Sequence, residues 1–172
     1  MTTLVLPDLP MTADDFAAME PVRGLRIELN EGMLEVAAAA QMAWHSRVAR
    51  RIAAIIETEG RLALTEAGVI LGPRKVRIPD VIRFVPGFDL DELASQFDAS
   101  SVDLVVEIVS PESRYRDREV KPAEYRAAGI AEMWIVTPHK IPGESSSDAL
   151  ITVHRFASSD EQVTHLLRDL ES

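Results

Sequence analysis

The spacing of apolar residues changes between residues 25 and 59. Residues 25–29 and 33–36 alternate apolar and polar side chains on either side of residues 30–32, whose types favour a turn. Residues 41–59 instead repeat apolar side chains every three to four positions, as one face of a helix does. The pattern therefore predicts a hairpin followed by a long helix that ends at Gly60.

Strands and helices alternate through the rest of the chain. The other predicted elements are a helix at 12–19, short strands at 62–64 and 69–71, a strand at 75–85 interrupted by Pro79-Asp80, a helix at 89–97, a strand at 102–109, a helix at 116–128, a strand at 132–136, a polar loop at 138–148, and a terminal hairpin of 151–156 with 162–167. Residues 162–167 also suit a short helix. The succession of strand, helix and strand over 102–136 predicts a βαβ unit with two parallel strands. We expect an α/β or α+β fold with a mixed sheet flanked by helices.

The composition places few limits on this fold. The length of 172 residues favours one domain over 1–172, with 1–10 as an N-terminal extension and 157–172 as a peripheral segment. There are no cysteines, which excludes disulfides and thiolate zinc sites. No apolar run is long enough for a membrane span, and residues 1–7 do not resemble a secretory signal, so a cytoplasmic protein is expected.

One acidic residue, Glu107, interrupts the apolar strand at 102–109. A strand this rich in valine and isoleucine is typical of one covered on both faces. An unpaired carboxylate buried there would be strongly unfavourable. We therefore expect Glu107 to have a cationic partner, to lie where the strand opens into a cleft, or to bind a metal ion. Ligand sites of open α/β sheets lie at the carboxyl ends of such strands, near which Glu107 stands.

Asp80 and Lys121 complete a candidate site with Glu107. Taken alone, Asp80 after a proline is most simply a turn residue, and Lys121 a solvated helix residue. Glu107 alone is equally well explained by a buried arginine partner. Together, two carboxylates on neighbouring strands can hold a hard divalent cation, and a nearby lysine can orient or deprotonate a water molecule.

These residues stand in an order that resembles a known family. The matching segments are Ile78-Pro79-Asp80-Val81, residues 104–113 around Glu107, Asp117 with Lys121, residues 125–136, Met11-Thr12, Ile27-Glu28-Leu29 with Gly32, and His45. Over about residues 10 to 156 the chain resembles the Uma-type family of putative restriction endonucleases, in the PD-(D/E)xK nuclease superfamily. Several motifs in one order make this resemblance more specific than a lone Pro-Asp pair.

The resemblance implies a restriction-endonuclease-like core with a metal site. In it, Asp80 and Glu107 bind Mg²⁺ or Mn²⁺, and Lys121 is the catalytic lysine. The name motif of the superfamily has its lysine two positions after the glutamate, where this chain has Val109. In the Uma-type pattern the lysine comes from the following helix instead, and Lys121 matches that position.

Two further residues match the family with less weight. Glu28, in the hairpin, is implied to contribute to the metal or water site, although alone it is most simply an outward-facing strand residue. His45, in the long helix, is implied to contact a phosphate or to lie beside the metal ligands. A histidine there is otherwise more often a satisfied residue at the edge of the core.

The formal charge of −10 argues against a protein that coats nucleic acid, but not against a nuclease with a local basic patch. Two basic clusters flank the candidate site and predict a phosphate-contacting rim, against the simpler interpretation of ordinary surface charge. Their members are Arg74, Lys75 and Arg77 before Asp80, and Arg114, Arg116 and Arg118 after Glu107.

Three functions follow from these residues. The first is a Mg²⁺-dependent endonuclease that hydrolyses phosphodiester bonds in DNA; by resemblance to its superfamily, it is expected to work as a homodimer. The second is a catalytically inactive module that binds nucleic acid or protein on a nuclease fold. The third, ranked last, is a glycosidase using Asp80 and Glu107 as its carboxylate pair, in which Lys121 would have no role.

Overall fold

The computed structural model of the protein describes residues 10–38, 43–110, 115–143, 147–156 and 161–171. The α-helices in these ranges are α1 Ala13–Ala17, α2 Ala43–Thr58 and α3 Lys121–Ala127. The strands are β1 Leu25–Asn30, β2 Met33–Ala38, β3 Ala63–Thr65, β4 Gly68–Gly72, β5 Lys75–Arg77, β6 Val81–Phe84, β7 Gln96–Asp98, β8 Val102–Ile108, β9 Glu132–Lys140, β10 Ser147–Arg155 and β11 Glu161–Leu166. Short 3₁₀ turns cover Ala99–Ser101 and Leu167–Leu170, and a π-helical turn covers Arg116–Val120. None of the helices in these ranges is long and apolar enough to cross a membrane.

The strands form two mixed sheets, which confirms the predicted fold class. One sheet has the order β11-β10-β9-β8-β6-β3, and the other has the order β2-β1-β5-β4-β7. In the first sheet β8 and β9 are parallel and joined through α3, so the predicted βαβ unit is confirmed. The predicted hairpins are also present, as β1 with β2 and as β10 with β11.

The strand predicted over 75–85 is in fact two strands in different sheets. The ladder of the five-stranded sheet contains β5, whereas β6 pairs with β8 in the six-stranded sheet. The chain crosses from one sheet to the other at Pro79 and Asp80, and the backbone N–H of Asp80 donates to the Val106 carbonyl at 2.9 Å. A proline cannot donate to a ladder, which is why pairing changes there. The break places Asp80 where the two sheets meet.

The helix predicted over 89–97 is wrong. That segment consists of turns and ends in β7, which pairs in parallel with β4. The Asp91 side chain accepts the N–H of Leu93 at 3.0 Å, a local bond that competes with helix formation. Leu93 is 95% exposed and so contributes nothing to packing a helix there against the core.

The polar loop predicted over 138–148 is shorter than expected. The β9–β10 ladder extends outward to the pair Ser147–Lys140. An antiparallel ladder can continue with polar side chains facing water, so polarity alone does not mark its end. After β11 the chain turns back, and Leu167 is fully buried in the core.

Alternate residues of β8 face two different cores. Leu104, Val106 and Ile108 pack in the cluster that contains the apolar face of α2, whereas Val105 and Val109 pack in the cluster that contains Tyr125 of α3. Because strand side chains alternate between faces, Glu107 shares its face with Val105 and Val109. The fold therefore directs the Glu107 carboxylate toward α3.

Candidate active site

The cationic partner of Glu107 is Lys121. Lys121 Nζ donates to Glu107 Oε1 at 2.8 Å, and the Tyr125 hydroxyl donates to the same oxygen at 2.5 Å. All three side chains are buried. Lys121 and Tyr125 are four residues apart on α3 and therefore lie on one face of the helix. The βαβ connection brings that face over the carboxyl end of β8.

The start of α3 is arranged so that this lysine can point toward the sheet. The helix predicted over 116–128 begins as the π-helical turn Arg116–Val120, and the regular α-helix starts only at Lys121. Pro122 lies in the first turn of α3, where a residue without an N–H is tolerated. Single π-helical turns are frequent at functional sites.

Asp80 is held by three groups from three different elements. Arg26 of β1 donates to Oδ1 at 2.5 Å, and the backbone N–H of Ile108 donates to Oδ2 at 2.6 Å. His45 of α2 has its Nε2 atom 3.3 Å from Oδ2. Burial raises the pKa of Asp80, but the hydrogen bond with His45 and the charge of Arg26 outweigh burial and hold it below its ordinary value. Asp80 is therefore ionised at neutral pH.

Glu28 joins the hairpin to the same cluster. Its Oε1 atom accepts the backbone N–H of Ile78 at 3.1 Å and lies 3.4 Å from Lys121 Nζ. Its Oε2 atom accepts from Arg77 at 3.2 Å. Only 2% of Glu28 is exposed, so it is not the outward-facing strand residue that the hairpin pattern alone favours.

Asp117 is a fourth buried carboxylate, one helical turn before Lys121. Its Oδ1 atom lies 3.4 Å from Lys121 Nζ and has no hydrogen-bond partner among the residues that the structure describes. Lys121 therefore lies among three carboxylates, those of Glu28, Glu107 and Asp117.

The protonation states of Glu107 and Lys121 follow from this crowding. Burial raises the pKa of Glu107 to about 7, against the opposing charge of Lys121. The negative charges of Asp117, Asp80 and Glu28 raise that pKa further. Burial lowers the pKa of Lys121, but the surrounding carboxylates outweigh burial and raise it above its ordinary value. Lys121 is therefore a cation at neutral pH.

The buried charges of this cluster do not balance. Among the described residues, four carboxylates and two cations around the site are at most 2% exposed: Glu28, Asp80, Glu107 and Asp117 against Arg77 and Lys121. Arg26, whose side chain is 17% exposed, supplies a third positive charge. An excess of buried negative charge favours binding of a cation.

The donor set fits a hard divalent ion such as Mg²⁺. Such an ion prefers carboxylate oxygens and is usually held by one or two carboxylates with several waters. Asp80 and Glu107 supply two carboxylates on neighbouring strands, since Val81 pairs with Val106 and Asp80 continues that ladder toward Glu107. Among the described residues no group of three or more acidic or histidine side chains is arranged to hold a metal ion, so the protein would supply two carboxylates and water the remaining ligands.

The predicted basic rim needs correction at its first cluster. Arg77 is only 1% exposed and donates to Glu28, Glu35 and Glu124, so it is an internal counter-ion and not a rim residue. Lys75 is half-buried and also bonded to Glu124, at 3.1 Å. A guanidinium can donate hydrogen bonds to several converging carboxylates in place of water, which explains why Arg77 is buried.

Other members of the two clusters do reach the surface. Arg74 and Arg118 are exposed, and Arg116 is partly buried, with its Nη1 atom 3.3 Å from Glu35. Arg114 lies outside the described residues. Contact of these side chains with phosphate stays a prediction.

Sequence reasoning assigned no role in the site to three of its members. Asp117 and Tyr125 lie four residues before and after Lys121, so a helical spacing could have indicated both. Arg26 gave no such signal, because its contact with Asp80 joins residues 54 positions apart and depends on how the two sheets meet.

Comparisons with known proteins identify a family and a shared fold. The sequence model of the Uma2 family, described as "Putative restriction endonuclease", matches residues 13–149. The crystal structure of a putative nuclease belonging to DUF820 from Anabaena variabilis ATCC 29413 is similar, with a TM-score of 0.63. The sequences are 20% identical, and the similarity covers 91% of this chain and 84% of that chain, so it shows a shared fold. Curated proteins gave no match.

Proposed function

The chain belongs to the Uma2 family of putative restriction endonucleases, and from this membership we propose that it hydrolyses phosphodiester bonds in DNA with the help of a divalent metal ion. The observation that carries the proposal is the buried cluster in which Asp80, Glu107 and Lys121 converge with an excess of negative charge. A purely structural ion pair does not require that excess.

Asp80 and Glu107 would hold the Mg²⁺ or Mn²⁺ ion. When bound, such an ion lowers the pKa of a water molecule and neutralises charge on a phosphate oxygen. Asp80 is ionised at neutral pH because its pKa is lowered, so it is ready to accept a cation. The Ile108 N–H and His45 keep its Oδ2 atom in place.

Lys121 acts as a positive charge and hydrogen-bond donor. In the metal-free protein its raised pKa keeps the proton on Nζ at neutral pH. An ammonium group beside the metal ligands can orient the attacking water and stabilise the charge that develops on the phosphate. Glu28 and Asp117 fix its position from two sides.

The exposed arginines beside the site would meet the DNA backbone. Arg74 and Arg118 are exposed on a protein that is otherwise acidic. Local positive charge near the cluster would offset the repulsion between DNA and the net charge of −10.

A cleavage assay with matched variants tests the proposal. The wild-type chain should cleave duplex DNA only when Mg²⁺ or Mn²⁺ is added, and Asp80→Ala should lower the rate by at least about 100-fold. Asp103→Asn is the control, because it removes a carboxylate from β8 at the opposite end from Glu107. Circular dichroism checks that each variant is folded. Equal rates for the wild type and Asp80→Ala would refute the assignment.

One observation favours the alternative of an inactive binding module. Asp80 and Glu107 are each already neutralised by a cation of the protein, Arg26 and Lys121. Such a module would bind DNA in a gel-shift assay, but would show neither Mn²⁺ binding by calorimetry nor cleavage. The glycosidase interpretation has no support from the family match. The homodimer stays a prediction, which sedimentation can test.

A further inference from the structure

Arg26 occupies the most exposed corner of the buried cluster. It lies two residues before Glu28 on β1, so both side chains leave the strand on the same face. Its guanidinium donates to Asp80 Oδ1 at 2.5 Å and lies 3.9 Å from Glu66 Oε1. It also lines an open cavity of about 290 Å³. Arg26 therefore has both a second acidic neighbour and space to move.

The charges show what would happen if Arg26 moved away. Without it, the four buried carboxylates, when all are ionised, have Arg77 and Lys121 as their buried arginine and lysine partners, which leaves two negative charges without compensation. That excess equals the charge of one divalent ion. The guanidinium and a divalent ion would thus be alternative partners of the same carboxylate, since both need Asp80 Oδ1.

Lys121 does not have the same freedom. It is 1% exposed and lies within 3.4 Å of three carboxylates. Moving its ammonium group would leave all three without their shared cation. Of the two cations that contact the proposed metal ligands, Arg26 is therefore the one that can leave.

Glu66 is placed to receive the guanidinium. Its side chain is 68% exposed, and its backbone N–H donates to the carbonyl of Asp80 at 3.3 Å. Its backbone is in the left-handed region, with φ of 56°, a conformation that is unfavourable for a residue with a side chain. Unusual backbone conformations of this kind cluster at functional sites.

We propose that Arg26 is a positioning residue that holds Asp80 until a divalent metal ion takes its place, and that Glu66 then receives the guanidinium. The exchange leaves a cation beside Asp80 in both states and keeps Asp80 oriented before the ion arrives. It rests on the proposed function, because it requires Asp80 to be a metal ligand.

Metal affinity tests the exchange without reference to activity. In calorimetric titrations of the full chain with Mn²⁺, Arg26→Met should bind the ion about tenfold more tightly than the wild type, because the competing cation is gone. Arg83→Met is the matched control: it removes another arginine that pairs with an aspartate, Asp103, and should leave the Mn²⁺ affinity unchanged. An unchanged or weaker affinity in Arg26→Met would overturn the exchange.

A second pair of variants decides the result if Arg26→Met does not fold. Glu66→Gln removes the proposed acceptor and should weaken Mn²⁺ binding about two- to fivefold, because the guanidinium then has no second partner. Glu20→Gln removes the same charge from the wall of the same cavity and should have the smaller effect. Equal losses in the two variants would show a general effect of charge and contradict the role of Glu66.

The failure of the exchange is distinguishable from that of the proposed function. If the wild type binds no Mn²⁺, or if Asp80→Asn binds it as tightly as the wild type, the metal site itself is wrong. If the wild type binds Mn²⁺ through Asp80 and neither Arg26→Met nor Glu66→Gln changes the affinity as predicted, only the exchange is wrong. Tighter binding in Arg26→Met together with weaker binding in Glu66→Gln supports both steps.

Discussion

Strand β8 carries a carboxylate toward each end, and the two are neutralised in opposite ways. Asp103, near the start, accepts a hydrogen bond from Arg83 at 2.7 Å and another from Arg61. Its side chain is 22% exposed. At this end of the strand, two arginines face one carboxylate beside water, an arrangement typical of ordinary surface ion pairs.

At the other end, Glu107 shares a single lysine with two more carboxylates, Glu28 and Asp117. All of them are at most 2% exposed. A stable fold needs only the arrangement found at Asp103, and this difference is the reason for proposing that the Glu107 end is the functional one. An imbalance of buried charge is therefore more informative about a candidate functional site than the presence of a buried charge.

The largest effect should come from removing the central cation of the Glu107 end. Lys121→Met leaves three buried carboxylates without their shared partner and should lower the free energy of unfolding by about 3 to 5 kcal/mol. Arg83→Met should lower it by about 1 kcal/mol or less, because Asp103 keeps Arg61 and is partly hydrated. Urea denaturation measures both values. Similar losses in the two variants would remove the distinction between the two ends.

A second difference should appear as the pH changes. The pKa of Glu107 is raised from 4.5 to about 7, so the folded state holds the proton more tightly than the unfolded state does. The stabilisation is fully present below pH 4.5 and is lost as the pH rises through 7, which amounts to about 3 kcal/mol. Asp80 acts in the opposite sense at lower pH, because its pKa is lowered: its contribution is lost as the pH falls below its ordinary value of 3.8.

Urea denaturation in metal-free buffer measures this loss. The measurements run from roughly pH 5 to roughly pH 8, so that they lie on both sides of the pKa of Glu107. Glu107→Gln should abolish the decline with pH, because an amide does not titrate there. Asp103→Asn should retain it. A decline that persists in Glu107→Gln would assign the titration to another group.

The parts of the fold that sequence could predict are those set by local pattern. The helical spacing of α2 buries one face, so period and fold agree there. The alternation in the first hairpin predicts its strands correctly, but Glu28 is buried together with Ile27 and Leu29. The βαβ connection follows from the order of its elements, and it predicts that Lys121 returns over the Glu107 strand. The observed contact of 2.8 Å agrees with that expectation, whereas the catalytic roles stay predictions.

The parts that sequence could not predict depend on contacts between distant segments. The break at Pro79 is visible in the sequence, but nothing local indicates that β5 and β6 enter different sheets. The same packing buries Arg77 among carboxylates 42 to 49 positions away, which a surface interpretation of its basic neighbourhood misses. The wrong prediction of a helix over 89–97 has a cause within the segment itself, because an aspartate side chain there accepts a backbone hydrogen bond and favours a turn.

The smallest effect should come from the neutral donor at the Glu107 end. Tyr125→Phe removes one hydroxyl from Glu107 Oε1 but leaves Lys121 in place, so it should cost about 1 to 2 kcal/mol of stability above pH 7. The hydroxyl stabilises the ionised carboxylate, so its loss should also raise the pKa of Glu107. The pH at which stability declines should therefore move upward in Tyr125→Phe. A downward shift would mean that Tyr125 bonds mainly to the protonated acid, and the charge imbalance at this end would then be smaller than the geometry indicates.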